Sequence, residues 1–166
     1  MYALIQIVDT EDQPIGTASM GKAQKDGLIH RIVRIMVENS EGKILLQKRA
    51  NKVTWPNCWD NSAAGHVDEG EDYLEAAKRE LFEEIGLDGQ DLTEVGKYYT
   101  DAVYKGRILK RFNMVYKLVT EETPSQLNPI EVTEVAWFTI EDTKKLIETS
   151  PERATDGLRD VINRYY

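Results

Sequence analysis

Apolar and polar positions alternate along this chain with two different periods. Residues 4–8 form a short apolar run that predicts a strand ending in a turn at 13–16, and the long β-branched run over 29–37 predicts a buried strand. A turn at 39–42 leads to a further strand over 44–48, whereas the polar stretch 50–61, broken by Pro56, reads as a loop. From residue 72 the period becomes helical. Leu74, Ala77, Leu81 and Ile85 make one apolar stripe, and Gly86 stands where a left-handed residue ends a helix. Strands follow over 93–99 and 109–119, joined near Lys105 and Gly106, with a last short strand over 135–138. One helix is predicted after Thr139 and another after Asp156, the second with Leu158, Val161, Ile162 and Tyr165 on one side. Interleaved in this way, the elements predict an α/β or α+β fold with a mixed sheet, and the absence of repeats or a linker predicts one domain over residues 1–166.

Charge sharpens this picture. The formal net charge is −8, and it is not spread evenly. Between Gly65 and Asp91 there are ten acidic residues against two basic ones, while the rest of the chain holds 19 of each. A local surplus of that size calls for a cation and argues against nucleic acid as a partner of that face. The opening residues carry no basic segment and only a five-residue apolar run, so neither a signal peptide nor a membrane span is expected, and the reading is cytoplasmic. The single cysteine, Cys58, has no partner for an internal disulfide, and no neighbour in sequence is placed to activate it.

The surplus centres on the predicted helix. At about 100° per residue, Glu80, Glu83 and Glu84 fall within an arc of roughly 100° beside the apolar stripe. Like charges at these spacings repel by a few tenths of a kcal/mol each, more in a cleft. Lys78 and Arg79 lie elsewhere on the helix wheel, and Arg79 is better placed to meet Glu71 in the preceding loop. A divalent cation is the economical counter-charge. With no cysteine or histidine at ligand spacing on the helix, a hard ion, Mg²⁺ or Mn²⁺, is favoured over Zn²⁺, and such an ion points to phosphoryl or diphosphate chemistry. Crowding among the three glutamates should raise at least one pKa, as a base working near neutral pH requires.

Gly65, Glu71, Arg79-Glu80-Leu81, Glu83-Glu84 and Gly86-Leu87 fill all nine specified positions of a Nudix box, a match whose chance occurrence is on the order of 10⁻⁷. The chain therefore resembles the Nudix hydrolases. That resemblance implies an α/β/α sandwich around a mixed sheet and hydrolysis of a small diphosphate. Glu83, Glu84 and the Gly65 carbonyl would be metal ligands, Glu80 a ligand or general base, and Arg79 with Glu71 the ion pair steadying the loop. A further acid from outside the box is expected, with Glu131 and Glu134 as candidates.

A wider similarity, over about residues 28–137, is to the isopentenyl-diphosphate isomerases and their hydrolase relatives. It rests on Leu28-Ile29-His30-Arg31, Leu45-Leu46-Gln47-Lys48-Arg49-Ala50, the segment from Trp55 to Ser62, and Gly65-His66. The isomerases have a catalytic cysteine where Ala64 stands, a metal-binding histidine where Ala23 stands, and two metal-binding glutamates where Leu109 and Arg111 stand. Only His30 and His66 of that set remain, while the glutamate box is intact, so hydrolysis is favoured over isomerisation. A non-catalytic nucleotide-sensing module is the third alternative. Lys48, Arg49, Lys52 and His66 are candidates for substrate contact. Trp55 and Trp59 could stack on substrate, Trp137 and His30 read as structural, and the basic residues Lys105, Arg107, Lys110 and Arg111 read as a solvated hairpin. The sequence leaves a homodimer open.

Overall fold

The computed structural model describes residues 3–166. In chain order the elements are β1 (Leu4–Val8), β2 (Pro14–Ser19), α1 (Met20–Asp26), β3 (His30–Glu38), β4 (Ile44–Arg49), β5 (Trp59–Asp60), β6 (Ala63–His66), α2 (Tyr73–Ile85), β7 (Thr93–Tyr104), β8 (Arg107–Val119), β9 (Val132–Phe138), α3 (Ile140–Thr149) and α4 (Asp156–Tyr165). Four elements depart from expectation, one of them β6, which lies between the expected loop 50–61 and the expected helix and which no predicted strand covers. The turn at 13–16 opens into the strand β2, whose exposed residues and glycine give it little apolar signal. Helix α1 has no apolar stripe and is held by its ends, with the Ser19 hydroxyl accepting from Lys22 N–H and Gly27 at φ 68° closing it. Trp59 and Asp60, within the stretch expected to be a loop, pair with β4 as β5.

Among the described residues, nine strands form one mixed sheet organised around β3. One edge of β3 is occupied along its whole length by β8, in parallel; its other edge is shared in succession by β1, β6 and β4, all antiparallel. Strands β4 and β6 thus diverge from a common neighbour and leave a fork between them. The β7–β8 hairpin turns on Lys105 and Gly106, with φ of 48° and 79°, the two left-handed residues that a twisted two-residue hairpin needs.

Alternate residues of β3 serve opposite faces. Val33, Ile35 and Val37 pack with Ala76, Ala77, Leu81 and Ile85 of α2. On the other face Met36, Ile44, Leu46 and Val115 pack with Leu158, Val161 and Ile162 of α4, and partly buried residues of α3 close the margin. The sandwich expected from the resemblance is therefore present. Leu74 is a correction. Placed in the buried stripe by periodicity, it is exposed, while Ala76 and Ala77 beside it are the residues that α2 buries against the sheet.

Candidate active site

Helix α2 starts at a capping box in which the Asp72 carboxylate accepts from Glu75 N–H and the Glu75 carboxylate accepts from Asp72 N–H, and it stops at Gly86 in the left-handed region. These ends fix its carboxylates relative to β6. Arg79 reaches further than its place on the helix wheel suggests. Its Nε and Nη2 donate to the two oxygens of Glu71 at 2.6 and 2.9 Å, and Nη2 also donates to the His66 carbonyl at 3.0 Å. Its Nη1 donates to Glu80 Oε1 at 2.8 Å and to Glu83 Oε2 at 3.3 Å. One guanidinium therefore ties the loop before α2, the end of β6 and two of the three crowded glutamates together, offsetting much of their repulsion.

The three glutamates have different surroundings. Glu84 is buried in the fork, accepting hydrogen bonds from Gln47 Nε2 of β4 and, at 3.2 Å, from the Ala64 N–H of β6. Burial pushes its pKa well up, reinforced by Glu80. Glu80 lies directly over Gly65: a Cβ on that glycine would come within 2.0 Å of the Glu80 carboxyl carbon. Burial raises Glu80 to about 7, against the pull of Arg79 and with help from Glu83 and Glu131. Desolvation, more than crowding, is thus the main cause of the raised pKa. Glu83 is half exposed and turned to Arg79. Among the described residues, no three histidine, cysteine or carboxylate side chains are gathered into a finished metal shell.

Register also bears on Gly65. Val67 N–H bonds to the Arg31 carbonyl, so by the two-residue alternation of an antiparallel ladder Gly65 directs its own N–H and C=O to β3. The carbonyls of Ala64 and His66 point the other way, and that of His66 already meets Arg79. The carbonyl that β6 turns to the side of the glutamates is therefore that of Ala64, whereas the Gly65 carbonyl is turned to β3.

Glu80, Glu84, Gly65, His66, Arg49, Lys52 and Glu131 all line one cavity of about 450 Å³. Glu71, Arg79 and Glu83 do not line it. Lys48 and Glu134 do not line it; they pair with each other at 3.4 Å on β4 and β9. The hairpin expected to be solvated is divided: Lys105 and Lys110 lie outside, whereas Arg107 and the buried Arg111 line the cavity. Sequence reasoning also missed Arg34, Asp60, Asp156 and Tyr104 in the wall. Arg34 did leave a signal, since a charge inside the apolar run 32–37 has no role in a plain core strand.

His30 and His66 stack with ring centroids 5.3 Å apart. His30 Nδ1 lies 2.9 Å from the Leu28 carbonyl, and neither Nε2 has a partner among the described residues. Burial lowers the pKa of both, that of His66 to about 3, so both are neutral at pH 7. Trp55 stacks on Tyr104 at 4.2 Å beside the cavity, Trp59 is buried against Phe138, and Trp137 packs on the α2-side core. Cys58 is buried near the Glu152 carbonyl with its thiol pKa pushed up by burial, which leaves it inert.

The chain belongs to the Nudix family, whose NUDIX domain model matches residues 28–161. It is an enzyme of the pyrophosphohydrolase class, in the branch that resembles isopentenyl-diphosphate isomerase. It is 31% identical over 165 residues to isopentenyl-diphosphate Delta-isomerase 2 of Photorhabdus laumondii, covering 98% of this chain and 92% of that protein. It is 33% identical to the uncharacterized Nudix hydrolase YfcD of Escherichia coli over 89% of this chain and 81% of that one. The crystal structure of DR0079 from Deinococcus radiodurans superposes with a TM-score of 0.82 at 25% identity, covering 98% of this chain and 99% of the other. No helix among the described residues is long and apolar enough to cross a membrane.

Proposed function

We infer that this protein hydrolyses the phosphoanhydride bond of a small organic diphosphate, a nucleoside diphosphate derivative or an isoprenoid diphosphate, with Mg²⁺ or Mn²⁺. The observation that carries this reading is the juxtaposition of the Glu80 carboxylate over Gly65 and the Glu84 carboxylate at the Ala64 N–H, in the lining of a cavity that also holds Arg34, Arg49, Lys52, Arg107 and Arg111. The donor set fits a hard divalent ion. Glu80 and Glu84 are carboxylates whose burial disfavours charge unless a cation is near, the Ala64 carbonyl faces the same side, and Glu83 has the exposure to turn from Arg79 and join them. When bound, such an ion neutralises phosphate oxygens and makes a coordinated water more acidic. Glu80, close to neutral pKa and held by Arg79, accepts the proton of the attacking water. Glu71 keeps Arg79 aligned, and Arg49 and Lys52 meet the negative charge left on the departing phosphate.

The test is a panel of nucleotides, nucleotide sugars, dinucleoside polyphosphates and isoprenoid diphosphates assayed with Mg²⁺ and with Mn²⁺. We expect turnover of at least one class, abolished by EDTA and lowered by ~1,000-fold or more in the Glu83→Gln/Glu84→Gln double variant with its fold retained. A double variant as fast as the wild type would refute the assignment. Isomerisation is the second reading, favoured by relatives that carry that name. It requires an acid where Ala64 stands, and solvent deuterium is expected not to enter the allylic positions of isopentenyl diphosphate.

A further inference from the structure

The cavity wall across from the glutamates contains a charge with no function in the reading above. Arg34, on β3, is 4% exposed, yet among the described residues no carboxylate lies within ion-pair distance of it. Its Nε donates to Asn113 Oδ1 at 3.0 Å and its Nη1 to Asn61 Oδ1 at 3.4 Å, both neutral amides. Of the nearby acids, Asp60 accepts from Arg49 at 3.1 Å and Asp156 from Arg111 at 2.6 Å, while Asp160 acts on Arg34 only through space, with no hydrogen bond or ion pair to it. A buried guanidinium whose hydrogen-bond acceptors are all neutral is costly to desolvate. A second guanidinium stands beside it. Strands β3 and β8 pair His30 with Arg111 and Arg34 with Val115, so Arg34 and Arg111 project from the same face of adjacent strands. Arg111 is 6% exposed, lines the cavity, and leaves its Nε unpartnered.

We propose that Arg34 and Arg111 form a subsite for a terminal phosphoryl group, so that the substrate carries a free phosphate at one end of its diphosphate. This rests on the hydrolase reading and narrows its substrate class. A terminal phosphoryl offers two negative charges and three free oxygens, matching two guanidiniums of which only one has a carboxylate partner. A phosphate esterified on both sides offers one charge and two oxygens. The chain of a substrate also cannot continue past Arg34. The first turn of α4 abuts that side chain so closely that a Cβ on Gly157 would come within 1.8 Å of Arg34 Nη1. The terminal phosphate therefore lies inward, and the organic group points to the cavity mouth near Trp55 and Tyr104, which contribute to its lining.

The proposal is tested without turnover by titrating methylenediphosphonate, which cannot be hydrolysed at its P–C–P bridge, and its P,P′-dimethyl ester, in which both ends are capped. Calorimetry in Mg²⁺ is expected to show the uncapped compound binding at least tenfold more tightly to the wild type. In Arg34→Gln and Arg111→Gln that preference should fall to threefold or less, and Arg34→Lys should recover part of it. Thermal melts of the same samples show that each variant is folded. Equal binding of the two compounds by the wild type, or an undiminished preference in the folded glutamine variants, would overturn the subsite. If no compound of the hydrolysis panel were turned over while Arg34→Gln still lost the preference, the hydrolase reading would fail and the phosphoryl subsite would stand.

Discussion

Gly65 and Glu80 show how closely the acidic wall is fitted. The carboxyl of Glu80 occupies the space that a methyl at residue 65 would need, and it cannot retreat without leaving Arg79. Gly65→Ala should therefore lower kcat/KM by ~100-fold, the cost of displacing a reacting group by about 1 Å. It should also destabilise by about 1–3 kcal/mol through overpacking; steady-state assay and thermal melting check both. Arg79→Lys keeps the charge but loses the two-pronged contact with Glu71, and a drop in kcat of ~10-fold or more with little change in fold is expected from the same assay. At this scale the box residues were legible because their spacing is local. The difference between Glu83, half exposed, and Glu84, sealed in the fork, was not, since the fork is made by strands distant in sequence.

Elements are tied together here by charged side chains at their ends. In the turn between β1 and β2, Asp12 takes a left-handed φ of 62°. Its carboxylate accepts from Arg31 Nε at 2.7 Å, Lys97 Nζ at 2.8 Å and the Tyr73 hydroxyl at 2.9 Å, joining that turn to β3, β7 and the start of α2. Burial raises its pKa, but the bonds from Lys97, Arg31 and Tyr73 outweigh this and leave it below the ordinary value. A depressed folded pKa contributes stability that is full above the unfolded value of about 4 and is lost as pH falls through the folded one. Asp12→Asn tolerates the same backbone, so it should cost about 2–4 kcal/mol at pH 7. That difference should shrink to near zero below the folded pKa, as chemical denaturation across pH would show. Periodicity located β3, α2 and α4 because each has an apolar stripe. It missed β2 and α1, which rely on edge pairing and caps, and it misplaced Leu74, whose place on the stripe does not bring it burial.

Across the whole molecule, the cavity is closed by contacts among parts far apart in the chain. Trp55, in the loop after β4, stacks on Tyr104 at the tip of the β7–β8 hairpin, and the Arg159 guanidinium of α4 lies 5.7 Å from its ring. Its φ of 55° is uncommon for a bulky residue, so the loop is held in place by this stack more than by local preference. Trp55→Ala should free the loop, raising KM by ~10-fold with a smaller effect on kcat, and hydrogen exchange over residues 50–58 should quicken.

The sequence by itself determined the acidic helix, its C-terminal glycine cap, the family and the clustering of carboxylates, because these depend on spacings within some two dozen consecutive residues. It also determined the mixed α and β character, through the two periods of its apolar positions. Only the tertiary structure decided which glutamates are buried, which carbonyl faces them, and that Arg34 and Arg111 stand together on one wall. The physical reason is pairing: the parallel register of β3 with β8, and the fork that β4 and β6 leave beside β3, bring together residues whose separation in sequence carries no periodic signal.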